Sequence, residues 1–202
     1  MQEFFDASDL QPGEDWDAEI RSKAATSALL AIRTDLYPSR EWCQREMLIA
    51  KQTGMPIVIM DALGHAEERG SFLMDHVPRV PIRLQGDTWA KGDIYHALDL
   101  LVDECLKRAL WIHQERLSRG RSELQIAWWA PHAPEPVTLV QWLQRATEEG
   151  SLTTETRIVR ILHPDPPLGR DEKLVLDQVL SLTGISAELD IMTPRLLAAR
   201  GG

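Results

Sequence analysis

The chain has 202 residues, 44% of them hydrophobic, and a formal net charge of −9. That length accommodates one large or two small domains, and no apolar run approaches the roughly 20 residues that a membrane-spanning helix needs. The acidic balance, without a basic patch of any length, argues against a general nucleic-acid-binding surface. We therefore expect a globular protein that binds neither nucleic acid nor a membrane.

The first half of the chain alternates strand patterns with helix patterns. Short apolar runs bounded by turn residues are typical of buried parallel strands, and apolar residues at helical spacing predict the helices between them. The predicted strands are residues 3–6, 27–32, 55–60 and 80–84. The predicted helices are residues 15–25, 41–53 and 93 to about 117. This alternation predicts an α/β fold with a parallel sheet.

The second half repeats the alternation after a polar break at residues 118–122. Strand patterns at 124–129, 156–162 and 187–192 enclose two helix patterns, at 137–148 and 171–182. The order β-α-β-α-β is half of a doubly wound sheet, which either completes the first sheet or stands as a companion domain. We accordingly divide the chain into residues 1–118 and a smaller unit at 123–202.

One residue of the helix predicted at 41–53 has the wrong chemistry for its position. Glu46 falls near the middle of the apolar arc, one turn after Trp42 and one turn before Ala50. An ionised carboxylate buried there without a partner would be costly, so Glu46 must be paired, protonated or lining a cavity. Pairing with Arg33 or Arg45 is the simplest structural interpretation. A helix that follows a parallel strand begins at the ligand-binding edge of the sheet, which favours the cavity.

The motifs of the first half also follow a known order. They are Phe4-Phe5-Asp6, a Pro-Gly loop, the strand at 27–32, the segment Tyr37-Pro38-Ser39-Arg40-Glu41-Trp42-Cys43-Gln44-Arg45-Glu46, and Met-Pro-Ile-Val-Ile from residue 55. This order resembles a bacterial Toll/interleukin-1 receptor (TIR) domain, whose fold is a flavodoxin-like parallel sheet. The segment with Tyr37, Ser39, Trp42-Cys43 and Glu46 is the most specific part of the resemblance, which covers roughly half of the chain.

The resemblance implies a site and a substrate. Glu46 matches the glutamate that TIR proteins require to hydrolyse NAD, and Trp42 matches an aromatic residue of the same pocket. The loop from Leu10 to Trp16 matches one that flanks the pocket and mediates contacts between domains, so Leu10 and Trp16 become substrate-binding candidates. NAD would be a substrate, and no cofactor is implied.

The chain departs from the TIR pattern at its beginning. TIR domains start with a strand and a helix that precede the segment matched by Phe4-Phe5-Asp6, whereas Met1 stands immediately before that segment. Losing this central strand would leave strand edges exposed. We expect an N-terminally truncated TIR-like domain at 1–118, from an internal methionine taken as the start, from a fragment, or with another element filling the gap.

The histidines and cysteines of the sequence do not indicate a metal site or a reactive thiol. The six histidines lack metal-ligand spacing, so no metal site is predicted, although His132 and His163 lie in proline-rich loops at strand ends. Cys43 and Cys105 both fall on predicted core faces of helices. We expect reduced packing residues, as in a cytoplasmic protein.

Two functions of different classes follow. The first is an NAD hydrolase that cleaves the nicotinamide–ribose bond through Glu46, acting as a bacterial defence or signalling effector. This activity is expected of an intact parent protein that includes the upstream strand and helix, and we expect little NAD cleavage from the chain without them. The second is a TIR-like scaffold without catalysis, which signals by self-association through Leu10 to Trp16 and its helix surfaces. Release of nicotinamide from NAD separates the two.

Overall fold

The computed structural model describes residues 22–64, 70–85, 88–119, 125–153 and 155–200. The chain divides into two compact units, Met1–Ala109 and Leu110–Gly202. Each unit contains its own three-stranded parallel sheet, with helices alternating between the strands. The predicted α/β class with parallel sheets is therefore confirmed, and the strands of the second half form a sheet of their own.

Strands and helices of the first unit follow in this order along the chain. They are β1 (Leu29–Arg33), α1 (Glu41–Thr53), β2 (Ile57–Asp61), β3 (Arg79–Pro81), β4 (Leu84–Gln85), β5 (Thr88–Trp89) and α2 (Lys91–Arg119). The parallel sheet has the order β1-β2-β3, and β4 and β5 form a separate antiparallel pair. Short 3-10 helices occupy Tyr37–Ser39 and Phe72–Met74.

The core of this unit lies between β2, β3 and the start of α2. Val58, Met60, Val80, Ile82 and Ala97 form one buried apolar cluster. β2 is buried along its first four residues because a parallel strand with neighbours on both sides is covered on both faces. The helix predicted at 41–53 is confirmed with the same bounds.

Gly54 ends α1 in a conformation that other residues adopt at a cost. Its φ of 69° lies in the left-handed region, and its N–H donates to the carbonyls of Ala50 and Lys51. We predict that Gly54→Ala lowers the free energy of unfolding by about 1 kcal/mol, because a Cβ is strained at this φ.

Gly92, in the first turn of α2, provides the matched control for that substitution. A Cβ added there meets no atom within 4 Å. Gly92→Ala should leave stability unchanged or raise it by up to about 1 kcal/mol, since alanine is the better helix former. Urea unfolding of both variants checks the pair, and equal destabilisation by both would contradict the assignment.

The second unit has the predicted β-α-β-α-β order followed by one more helix. Its elements after α2 are β6 (Trp128–Trp129), α3 (Pro136–Glu148), β7 (Ile158–Leu162), α4 (Arg170–Leu182), β8 (Glu188–Met192) and α5 (Pro194–Arg200). Short apolar strands separated by a single helix are expected to be parallel neighbours. The sheet order is β6-β7-β8, all parallel, so this expectation is confirmed for the first two strands. β6 is shorter than predicted because it is an edge strand that pairs only with β7.

Both faces of this second sheet are covered. On one face, side chains of β7 and β8 pack against α3 and α4 in a cluster that includes Leu139, Leu143, Val159, Ile161 and Leu176. On the other face, Leu162 and Met192 contact Trp111 near the end of α2, with Leu197 of α5 beside them. Alternation along β7 explains the division, since Ile161 and Leu162 point to opposite faces.

Helix α2 corrects two predictions. The spacing of Ile94, Leu98, Leu101, Cys105 and Leu106 predicts that all five share one core side of the helix. Ile94 and Leu101 do pack against the first core, but Leu98 and Leu106 are exposed. Cys105 is exposed and Cys43 half-buried, so the predicted packing role of Cys105 is wrong. α2 carries apolar residues on more than one face, and periodicity alone cannot tell which face meets the sheet. Of the described helices, α2 included, none is long and apolar enough to cross a bilayer.

Candidate functional site

An ion pair closes the carboxyl edge of the first sheet. Arg33 ends β1 and Asp61 ends β2, and the two residues are register partners in the parallel ladder. The Arg33 guanidinium donates to an Asp61 carboxylate oxygen at 2.9 Å, with side chains only 10% and 15% exposed. Two charges held this far from water stabilise each other only as a pair. The ion pair therefore forms a fixed polar surface at the edge where parallel sheets bind ligands.

Tyr37 lies beside this edge and is buried, with 7% of its surface exposed. It opens the short helix Tyr37–Ser39, which is linked to α1 because the Tyr37 carbonyl accepts from the N–H of Arg40 and the Gln44 amide donates to the Pro38 carbonyl. Its hydroxyl is buried without a hydrogen-bond partner among the described residues. A buried phenolic O–H without a partner is a hydrogen-bond donor that can still accommodate an acceptor.

Glu46 lies close to this phenol. Burial, and then the negative charges of Cys43 and Glu46, raise the pKa of Tyr37 well above its usual range. Tyr37 consequently stays protonated, and its hydroxyl is a neutral donor in the neighbourhood of Glu46. Glu46 is half-buried in the second turn of α1, where Met47 and Ala50 are fully buried. The carboxylate therefore lies at the rim of the core and within reach of solvent.

Trp42 lies on the outer part of the same helix. It is 47% exposed, which corrects the expectation that it lies on a buried arc with Met47. The Arg45 guanidinium stacks over the Trp42 ring at 5.1 Å from its centroid, and Arg45 also lies 4.0 Å from the Glu41 carboxylate. The buried part of the apolar face of α1 is thus smaller than the sequence suggests. The reason is that this helix packs against a single sheet and a short connecting segment. The ring remains available as an aromatic wall beside the edge.

Side chains also fix the loops around this edge. The Asp35 carboxylate accepts from the N–H of Gly64, which joins the loops that follow β1 and β2. Lys51 is buried, and its ammonium donates to the carbonyl of Asp75 at 2.9 Å. The Asp35–Gly64 bond thus joins the two loops at the carboxyl edge, whereas the Lys51–Asp75 bond attaches the C-terminal part of α1 to the segment that precedes β3.

The structure brings together two of the four predicted site residues. Glu46 and Trp42 share α1 at the carboxyl edge of the sheet. Leu10 and Trp16 lie outside the described residues, so their predicted roles stay predictions. Sequence reasoning missed Tyr37 as part of this site, although it belongs to the segment that carries the TIR resemblance. It also missed the Arg33–Asp61 pair, for which the only signal was a charged residue directly after each apolar strand.

The carboxyl edge of the second sheet holds another polar group. His163 follows β7, Thr193 follows β8, and both are fully buried. The N–H of His163 donates to the Met192 carbonyl, and its Nδ1 lies 2.8 Å from the Pro164 carbonyl. A carbonyl only accepts, so Nδ1 carries the proton and Nε2 is an acceptor. Neither Nε2 of His163 nor Oγ1 of Thr193 has a hydrogen-bond partner among the described residues.

Burial lowers the pKa of His163, and the carbonyl of Pro164 and the charge of Asp165 oppose this only in part. Between the lowered folded pKa and the unfolded value of about 6.5, the unfolded chain binds more protons than the folded one. The stability of the second unit should therefore be complete above about pH 6.5 and should fall as the pH drops below it.

We predict that His163→Asn removes this dependence, because asparagine retains a donor for the Pro164 carbonyl without titrating in this range. Urea midpoints measured from pH 8 to pH 5 check the prediction. The near-ultraviolet signal of the stacked Trp128 and Trp142 rings, 5.2 Å apart, reports on this unit. A wild-type midpoint that stays level down to pH 5, or an unchanged slope in the variant, would contradict it.

Neither edge resembles a metal centre. Within residues 22–64, 70–85, 88–119, 125–153 and 155–200, no group of three or more His, Cys, Asp or Glu side chains could hold a metal ion. The chemistry of the first edge rests on one carboxylate, one phenol and one indole. Comparisons with protein-family models, with curated proteins and with solved structures found no match.

Proposed function

We propose that the chain is a TIR-like NAD hydrolase in which Glu46 is the catalytic residue. The carrying observation is a half-buried carboxylate at the carboxyl edge of a parallel sheet, beside a buried phenol that has no hydrogen-bond partner among the described residues. The motif order from Phe4 to residue 59 supports the TIR assignment. A defence or signalling role follows from family analogy alone.

The reaction requires few groups from the protein. The bond between the ribose C1′ and the nicotinamide nitrogen breaks, nicotinamide leaves with the bonding electrons, and positive charge builds on the ribose. Water then adds to C1′ and releases a proton, which gives ADP-ribose. A carboxylate near the ribose stabilises the positive charge and accepts a hydrogen bond from a ribose hydroxyl. Glu46 supplies that carboxylate.

Two neighbours complete the proposed site. The Trp42 ring provides an apolar surface for the nicotinamide or ribose. Tyr37 keeps its proton, so its buried hydroxyl can donate to Glu46 without adding a charge. The Arg33–Asp61 pair joins the ends of β1 and β2 at the same edge of the sheet, and we assign it no part in the reaction because its two charges offset each other.

The second candidate is a TIR-like scaffold that acts by self-association. Several large apolar side chains of α2 are exposed, which is typical of a surface that contacts another protein. The two candidates are compatible if assembly precedes catalysis. They differ in whether NAD is consumed.

The deciding experiment measures free nicotinamide after the purified protein is incubated with NAD, with and without a crowding agent that promotes assembly. NADP and nicotinamide mononucleotide serve as parallel substrates, because they share the scissile bond and differ in the rest of the molecule. The enzyme proposal predicts nicotinamide release from NAD. Self-assembly without release under every condition would leave the scaffold as the function.

A further inference from the structure

Two buried polar side chains leave the second sheet side by side at its carboxyl edge. β7 ends at Leu162 and β8 ends at Met192, and these two residues are register partners in the parallel ladder. The next residues are His163 and Thr193, and the N–H of His163 still donates to the Met192 carbonyl at 3.1 Å. Both residues are fully buried. Because adjacent parallel strands lie about 5 Å apart, the two side chains are neighbours within one unit.

This pair lies on the side of the sheet that α4 covers. Side chains alternate along a strand, so His163 continues the face of Ile161, which packs against α3 and α4. The charges of Glu172 and Lys173, near the start of α4, are close enough to affect the His163 ring, which agrees with this placement. Thr193 follows the same alternation on β8.

Each side chain of the pair can form one more hydrogen bond. Nδ1 of His163 lies 2.8 Å from the Pro164 carbonyl and carries the proton, so Nε2 is an acceptor. The Thr193 hydroxyl both donates and accepts. Neither atom has a hydrogen-bond partner among the described residues. A buried polar atom without a partner lowers stability, and such local costs are typical of functional sites.

The charges near the pair are matched, which favours a neutral ligand. The Asp165 carboxylate lies 3.8 Å from the Arg195 guanidinium. The Glu172 carboxylate accepts from the N–H of Gly169 at the start of α4, and Lys173 follows it with the opposite charge. An anion would therefore meet two carboxylates, and a cation would meet two basic groups.

We propose that His163 and Thr193 bind a small neutral ligand that presents a hydrogen-bond donor beside an acceptor. The ligand donates to Nε2 of His163 and accepts from the hydroxyl of Thr193. A primary carboxamide has this arrangement, and so does a vicinal diol, in which one hydroxyl donates and the other accepts. The site lies wholly within the second unit and does not rest on NAD hydrolysis.

The ligand reaches the pair when the loop at residues 163–169 moves outward. Residues 165–167 of this loop are exposed, so little apolar contact holds its outer part. The ion pair between Asp165 and Arg195 joins the loop to α5, but the Arg195 side chain is 88% exposed. Such an exposed pair contributes little to stability, so it does not prevent the movement.

The test uses the full chain and two probes, each with a control that lacks one group. Benzamide has the donor and the acceptor, and methyl benzoate lacks the donor. Methyl β-D-ribofuranoside has a vicinal diol, and its 2-deoxy analogue does not. Long-range proton–nitrogen NMR spectra of the histidine rings should show the Nε2 resonance of His163 shift with benzamide or the riboside, and not with the matching control. The probe that responds identifies the ligand as a carboxamide or a diol.

Two valine variants test the role of the hydroxyl. Thr193→Val keeps the shape of the side chain and should weaken binding of the responding probe by about tenfold. Thr147→Val is the matched control, because the Thr147 hydroxyl already donates to the Leu143 carbonyl at 2.8 Å, and its affinity should not change. Thr193→Val loses an unpartnered hydroxyl, so its urea midpoint should be no lower than that of Thr147→Val. No shift with either probe, equal shifts with probe and control, or wild-type affinity in Thr193→Val would overturn the proposal.

Discussion

Glu46→Gln is expected to abolish NAD cleavage, with a loss of at least about 100-fold in kcat. Glutamine keeps the size and the hydrogen-bonding reach of glutamate but lacks the negative charge that stabilises the developing cation. The charge matters most in the transition state, so KM should change much less than kcat. Initial rates of nicotinamide release over a range of NAD concentrations measure both constants.

Glu41→Gln supplies the control for this experiment. Glu41 belongs to the same helix, its side chain is 87% exposed, and it lies 4.0 Å from Arg45. This variant should retain wild-type kcat. Equal losses in both variants would show a general effect on α1, and equal turnover by Glu46→Gln and wild type would contradict the catalytic role. Unchanged near-ultraviolet spectra must accompany either result.

The second large effect is expected from Asp61→Asn, which leaves the Arg33 guanidinium buried against a neutral amide. We predict a loss of about 2–4 kcal/mol in the free energy of unfolding of the first unit. The reason is that removing one member of a buried ion pair costs more than replacing both members. Hydrogen exchange of the β1 and β2 amides reports on this unit directly.

A double variant and a surface variant separate the possible causes. Arg33→Leu combined with Asp61→Leu removes both charges of the pair and should recover at least half of the loss, since replacing a buried pair by apolar side chains costs less than removing one member of it. Glu41→Gln removes an exposed pair and should cost under about 1 kcal/mol. If Asp61→Asn lowers the free energy of unfolding no more than Glu41→Gln does, the Arg33–Asp61 pair contributes less to stability than we predict.

The sequence predicted the fold best where neighbouring residues determine it. The apolar run that becomes β2 and the helix Glu41–Thr53, ended by Gly54, need no distant information. The same holds for β7, β8, α3 and α4 of the second unit, whereas β6 is shorter than its apolar pattern because it is an edge strand. The division into two sheets was left open, because periodicity says nothing about which strands pair.

The candidate site was predicted less completely, for a related reason. The position of Glu46 on α1 is visible in the sequence, but the burial of Tyr37 depends on a short 3-10 helix that has no strong sequence signal. Likewise, the partner of Arg33 depends on the register between β1 and β2. Leu98 and Leu106 of α2 were expected in the core, because a helix with apolar residues on several faces does not reveal which face meets the sheet.

The most direct test of the account is a proton NMR time course of NAD with the purified wild-type protein. With Glu46 as the catalytic residue, we expect the resonances of the nicotinamide group of intact NAD to decline while those of free nicotinamide grow in equal amount. Glu46→Gln should halt both changes. An NAD spectrum that stays constant at protein concentrations where self-association is measured would contradict it.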